Sequence, residues 1–186
     1  MRTTIGIAID IPEPWGGQLT RRRAAAGDPA AEHVRAHLTL LGPTEVAVAE
    51  LSTVAAHLSA VASGHEPFPL HLRGTGTFRP LTEVVYVAVA TGSDECHRLA
   101  AALRQLAAID RPQRYSYHPH VTVAQDVPTD ALDAVYTDLA DFEAKFMVTG
   151  FTLFEHGRDG RWRPHREYSL GNGAAGAAGA ADAAPP

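Results

Sequence analysis

The chain carries one short design twice. His37-Leu38-Thr39-Leu40 and His120-Val121-Thr122-Val123 each place two polar residues at alternate positions, with aliphatic residues between and after them. Successive side chains of a strand point to opposite faces, so each tetrad reads as a strand with one core face and one polar face. A chain with such a strand in each half must bury two apolar faces while leaving two polar ones open. If the two strands lie side by side, or face each other across a cleft between two lobes, two imidazoles and two hydroxyls converge on a small volume. With 10 histidines in 186 residues, a single His-x-Thr match is expected about once by chance. Two matches in opposite halves, each with aliphatic residues at both free positions, are not.

The surrounding periodicity supports that frame. Thr3 to Ile11 alternates around Ile5, Ile7 and Ile9 as a strand does, and Pro12 and Pro14 end it before a helix predicted from Trp15 to about Ala26. After the Gly27-Asp28-Pro29 turn, Val34 to Leu41 reads as a second strand closed by Gly42-Pro43. Leu51, Val54, Ala55, Leu58 and Val61 then form the apolar stripe of a helix. Phe68 to Phe78 and Val84 to Val89 are predicted to pair as a hairpin. Ser93 is the expected N-cap of a helix whose buried stripe is Cys96, Leu99, Ala100, Leu103, Leu106 and Ala107. A strand from His120 to Ala124 follows, then a helix opened by Thr129 with Leu132, Val135, Tyr136 and Leu139 inward. Strands from Lys145 to Glu155 and Arg161 to Leu170 flank a turn at Gly157 to Gly160. Interleaved helices and hairpins predict an α+β fold with two antiparallel-rich sheets, outer helices and a central cleft. The expected organisation is one two-lobed domain over 1–170 and a disordered Gly/Ala/Pro tail over 171–186.

Bulk properties narrow the function. Hydrophobic residues at 45% and charged residues at 20% fit a globular chain. No apolar run reaches the roughly 20 residues of a membrane span, and Met1-Arg2-Thr3-Thr4-Ile5 lacks a signal-peptide pattern. A cytoplasmic protein without a membrane partner is expected. Cys96, the only cysteine, has no partner for a disulfide or metal pair and reads as core filler. A net charge of −5 argues against coating long nucleic acid, which needs a basic face. A small or terminal phosphate remains compatible.

The residue types of the tetrads suit phosphate-ester chemistry. Cleaving a phosphodiester without a metal takes a base for the attacking oxygen and an acid for the departing one. Histidine supplies either near neutrality. Threonine hydroxyls donate to non-bridging oxygens, where transition-state charge is held. His37 and His120 are therefore the candidate acid/base pair, and Thr39 and Thr122 the candidate phosphate ligands.

With their flanks, Ala36-His37-Leu38-Thr39-Leu40-Leu41-Gly42, Gly76-Thr77-Phe78-Arg79-Pro80 and Tyr117-His118-Pro119-His120-Val121-Thr122-Val123-Ala124, the sequence resembles the 2H phosphoesterase superfamily. Within it the likeness is to the 2′-5′ RNA ligase-like group and its RNA 2′,3′-cyclic phosphodiesterases, and it runs from about Thr3 to Leu170. The resemblance implies a bilobal fold with pseudo-twofold symmetry, both tetrads in one cleft and no cofactor. It implies a phosphodiesterase acting on a cyclic or 2′-5′ linkage of an RNA terminus or small nucleotide, and a monomer is expected. Gln125 stands where bacterial RNA-processing members often carry a basic residue.

Phe78, Tyr115 and Tyr117 are further candidates, for stacking on a base, with packing as the alternative. Arg79 and Arg114 are candidates for a second phosphate, with a solvated surface position as the alternative. Arg21-Arg22-Arg23 reads as a solvated helix face, with an entry patch for a polyanion as the alternative. His118 and His120 share a strand face as a metal pair would, but lack the third and fourth ligands that zinc takes. A histidine-triad hydrolase would need histidine at Thr122. A binding module without turnover would keep the same cleft and drop the proton transfers.

Overall fold

A computed structural model describes residues 1–171. The strands are β1 (Arg2–Asp10), β2 (His37–Ala47), β3 (Phe68–Thr77), β4 (Val84–Thr91), β5 (His120–Gln125), β6 (Glu143–Val148), β7 (Gly150–His156) and β8 (Trp162–Ser169). The helices are α1 (Trp15–Ala25), α2 (Leu51–Ser63), α3 (Ser93–Leu103) and α4 (Thr129–Asp138). The strand order is β6-β3-β4-β5-β2-β1-β7-β8, and every pairing is antiparallel. The α+β class, the antiparallel pairing and the outer helices are as the sequence predicts, but the two expected sheets are one continuous eight-stranded sheet.

The sheet is two four-stranded halves joined at one backbone pair, Leu38 with Val121. These are the second residues of the two tetrads, so a local twofold passes through the junction. The units β1-α1-β2 and β4-α3-β5 repeat one plan, neighbouring antiparallel strands connected through a helix. Each connecting helix packs against the other unit's tetrad strand, α1 on β5 and α3 on β2. Leu38, Leu40, Val121 and Val123 are all 0% exposed, and a cluster of buried side chains from both halves forms one core around them.

Several expectations need correction. β2 does not stop at Gly42-Pro43 but runs on to Ala47. Beyond the single pair at Leu38 it has no partner on the β5 side, and there a proline costs no ladder bond. Gly42 and Pro43 fall in a bulge opposite Gly6, between the pairs Ile5 with Thr44 and Ile7 with Leu41. The start of that strand shifts from Val34 to His37, because a short 3-10 turn over Pro29–Glu32 precedes it.

The single strand predicted over Lys145 to Glu155 is two. β6 pairs with β3, whereas β7 crosses to the other half and pairs with β1 and β8. Gly150 begins the second strand, where an added Cβ would stand 2.7 Å from the Tyr168 carbonyl oxygen. Alternation of side chains cannot reveal such a crossing. Ser93 is not the cap of α3: Gly92 is, at φ 92°, a conformation glycine adopts without strain. α3 ends at Leu103, leaving Ala107 exposed, and Tyr136 of α4 points outward at 40% exposure. The stretch read as a tail lies outside the described residues apart from Gly171. Among the described residues no helix is long and apolar enough to cross a membrane.

Candidate active site

The alternation inferred from the sequence holds residue by residue. His37, Thr39, His120 and Thr122 are half-buried on one face, while their aliphatic neighbours are sealed in the core. Because Leu38 pairs with Val121 antiparallel, the register sets His37 across from Thr122 and Thr39 across from His120. Each histidine thus faces the other tetrad's threonine.

Both imidazoles are oriented by the same device. His37 Nδ1 lies 2.8 Å from the Arg35 carbonyl oxygen, and His120 Nδ1 lies 2.7 Å from that of His118. A carbonyl oxygen only accepts, so Nδ1 carries the proton and donates in each case. Nε2 of both rings is left without a hydrogen-bond partner among the described residues. It accepts a proton when the ring is neutral and delivers one when the ring is charged.

Burial is the main influence on both rings and pushes their pKa values below the ordinary imidazole range. At His37 the Arg35 carbonyl opposes the shift, the Arg23 guanidinium adds to it and Asp10 opposes it. At His120 the His118 carbonyl opposes it, while the His118 and His37 rings add to it. The surroundings are less symmetric than the motifs. His37 pairs on β1 with Asp10, whose carboxylate accepts from the Thr152 hydroxyl at 2.7 Å. His120 pairs on β4 with Ala88, and its ring lies edge-on to Phe78 and against Tyr86, at centroid distances of 4.9 and 5.3 Å.

The cleft has a volume of about 640 Å³, within the range of small-molecule sites. Its lining includes His37, Thr39 and Thr122 but not the His120 ring, and it extends over β1, β7 and β8 to Phe154, Trp162 and Arg166. The open volume therefore lies on one side of the tetrads. Trp162 caps that side above Gly6, where an added Cβ would stand 3.1 Å from Cζ3 of the indole.

The structure brings the four tetrad residues together and places the other sequence candidates elsewhere. Phe78 packs on His118 and His120 instead of facing the cavity. Tyr117 donates its hydroxyl to the Thr39 carbonyl at 3.0 Å, tying the approach to β5 onto β2. Burial raises its pKa far above the usual phenol range. Arg79 pairs with Asp133 of α4 at 2.8 Å. Arg114 lies over the Tyr115 ring, 5.2 Å from its centroid, and neither lines the cleft. The reading of Arg23 as solvated is corrected: it is 5% exposed and lines the cleft. Its spacing from the buried Gly16 and Leu19 puts it on the inward face of α1, a signal present in the sequence. Trp162 had no comparable local signal, since its role depends on β8 lying beside β7.

Comparison with known proteins gives the family and the fold. A family model described as the 2′-5′ RNA ligase superfamily matches residues 11–160. The chain is similar to a protein of Bacillus cytotoxicus described as a candidate phosphoesterase, with 26% identity over 159 residues covering 79% of this chain and 86% of that one. Among solved structures it is similar to Escherichia coli LigT complexed with 3′-AMP, at a TM-score of 0.70 and 26% identity over 91% of this chain and 99% of that one. It is also similar to LigT complexed with NADP+, at a TM-score of 0.68 and 28% identity over 91% and 98% of the two chains.

Proposed function

The chain belongs to the 2′-5′ RNA ligase superfamily, and we propose that it hydrolyses a cyclic or 2′-5′ phosphodiester on an RNA terminus or small nucleotide through His37 and His120. The observation that carries this reading is the matched fixing of both Nδ1 atoms to carbonyls two residues upstream, which leaves both Nε2 atoms free on the polar face that Thr39 and Thr122 share. One neutral Nε2 takes a proton from water as its oxygen bonds to phosphorus. The other ring, protonated, gives its proton to the ester oxygen as the P–O bond breaks. Thr39 and Thr122 donate to the non-bridging oxygens, where charge accumulates. A phosphomonoester and a free hydroxyl result.

The test is incubation of the purified protein, with EDTA present, against oligonucleotides ending in a 2′,3′-cyclic phosphate and against small cyclic nucleotides. Phosphorus NMR reports products and regiochemistry. Loss of cyclic-phosphate signal with growth of one monoester is the expected result. Absence of turnover on both classes would overturn the reading.

A pH profile follows from the lowered imidazole pKa values. Catalysis needs one neutral and one charged ring, and that state is most populated between the two pKa values. Both lie below the ordinary 6.5, so kcat/KM against pH should be a bell peaking on the acid side of 6.5 and declining through neutrality. A bound phosphate favours the charged form, so the maximum of kcat should sit at higher pH. A monotonic rise through neutrality would refute the two-histidine assignment.

Because the cavity opens on one side, the body of the substrate lies over β1, β7 and β8 in this reading, with Trp162 and Phe154 as its apolar wall. A base stacked on an aromatic ring contributes about 1–3 kcal/mol. Trp162→Ala should therefore raise KM for a nucleotide substrate roughly tenfold and change kcat by less than about threefold. Unchanged KM would remove Trp162 from the site.

A further inference from the structure

Arg23 is the only buried cation among the described residues, and the protein uses only part of its guanidinium. Nε donates to Asp28 Oδ2 at 2.6 Å, and the two side chains are 6% and 2% exposed. Asp28 is itself pinned: Oδ1 accepts from the Ala30 amide at 2.9 Å, and Oδ2 also accepts from the Gln125 amide at 3.1 Å. The carboxylate thus ties α1 and the turn after it to the end of β5, three residues beyond Thr122. Arg23 Nη1 and Nη2 make no hydrogen bond or ion pair among the described residues.

Those two groups are not sealed in the core. The only enclosed side-chain polar atom without a partner among the described residues is Tyr168 Oη. The Arg23 Nη groups therefore reach open volume, and the volume that Arg23 lines is the cleft it shares with His37, Thr39 and Thr122. Its charge acts on the His37 ring. A largely buried guanidinium with free N–H groups, beside two hydroxyls, is a strong and geometrically specific donor to phosphate oxygens.

We propose that Arg23 is a third phosphate ligand, delivered into the cleft from α1 and aimed by Asp28. Pairing through Nε fixes the plane of the fork and leaves the Nη edge for a non-bridging oxygen. Threonine hydroxyls then share the anion with a full positive charge. The proposal rests on the reading of the cleft as a phosphate site.

The experiment is titration of inorganic phosphate into the wild-type protein, Arg23→Gln and Asp28→Asn by calorimetry, with thermal melts of each and an NMR titration of His37. Both variants break the same buried pair, so a purely structural Arg23 would make them alike. A phosphate ligand separates them: Arg23→Gln should bind phosphate about tenfold or more weakly, while Asp28→Asn, which keeps the guanidinium, loses less. The His37 pKa should rise in Arg23→Gln and not in Asp28→Asn, because only the former removes the neighbouring charge. A folded Arg23→Gln with wild-type phosphate affinity would overturn the proposal. Should Arg23→Gln not fold, Arg23→Lys decides in its place, since an ammonium pairing with Asp28 cannot also present a fork to phosphate. Its expected result is weaker phosphate binding, and wild-type affinity there refutes the assignment. If the wild-type protein binds no phosphate, the phosphate reading of the cleft fails first, a different outcome from failure of Arg23 alone.

Discussion

Replacing either His37 or His120 with alanine should lower kcat/KM on a cyclic phosphodiester by about three to four orders of magnitude, the upper range for loss of a positioned acid or base. The double replacement should cost little more than the worse single one, because groups acting in one proton-transfer event are not additive. Folding should survive both changes. The rings are half-buried on the cleft face, and neither belongs to the core that Leu38, Leu40, Val121 and Val123 build beneath them. Melting temperatures near the wild-type value would confirm that chemistry, not structure, is lost. His71→Ala serves as the control, since that ring pairs with Glu143 at the β3–β6 edge, and activity there should be unchanged. Retention of more than about a tenth of wild-type turnover by His37→Ala or His120→Ala would leave no acid/base role for that ring. Additive losses in the double variant would mean that the two histidines act in separate steps.

What the sequence made legible was what depends on the local chain. The tetrads could be read because strand alternation is set by the backbone itself, so Leu38 and Val121 had to face away from His37 and His120. The helical stripes of α2 and α4 were readable for the same reason, apart from Tyr136. What escaped was set by which strand lies beside which. Asp10 meets His37 only because β1 pairs with β2, and Trp162 reaches the cleft only because β8 is the outer neighbour of β7. Phe78 and Tyr117 stand near tetrads in sequence or fold, yet one supports the His120 ring and the other bonds the β2 backbone. Closeness in sequence does not specify which face a side chain takes. Net charge misled in the same way. A total of −5 says nothing of the guanidiniums of Arg23, Arg35 and Arg166 gathered around one cavity. Arg23 itself was hidden in a run whose other members, Arg21 and Arg22, are exposed.

The junction of the halves yields the second large effect, on stability and activity together. Leu38 is 0% exposed and forms with Val121 the only backbone pair between β2 and β5. Truncating a buried leucine to alanine removes its transfer free energy and leaves a cavity, at about 2–5 kcal/mol. At roughly 2–4 °C per kcal/mol for a chain of this size, Leu38→Ala should melt about 4–20 °C below wild type. Leu81→Ala, at a side chain 73% exposed, should fall within about 0.5 kcal/mol of wild type. The consequence for catalysis follows from the register. Leu38 lies under the point where His37 crosses Thr122 and Thr39 crosses His120, and reacting groups misplaced by about 1 Å can lose about a hundredfold in rate. Partial collapse at position 38 should therefore lower kcat about tenfold or more even at temperatures where the variant is fully folded. α1 on β5 and α3 on β2 still clamp the halves together, which is why the variant should fold at all. A lower melting temperature with wild-type kcat would mean that those crossed helices, and not the Leu38 pair, set the spacing of the histidines. An unchanged melting temperature would mean that the core closes over the missing side chain, and the junction would then carry none of the stability assigned to it.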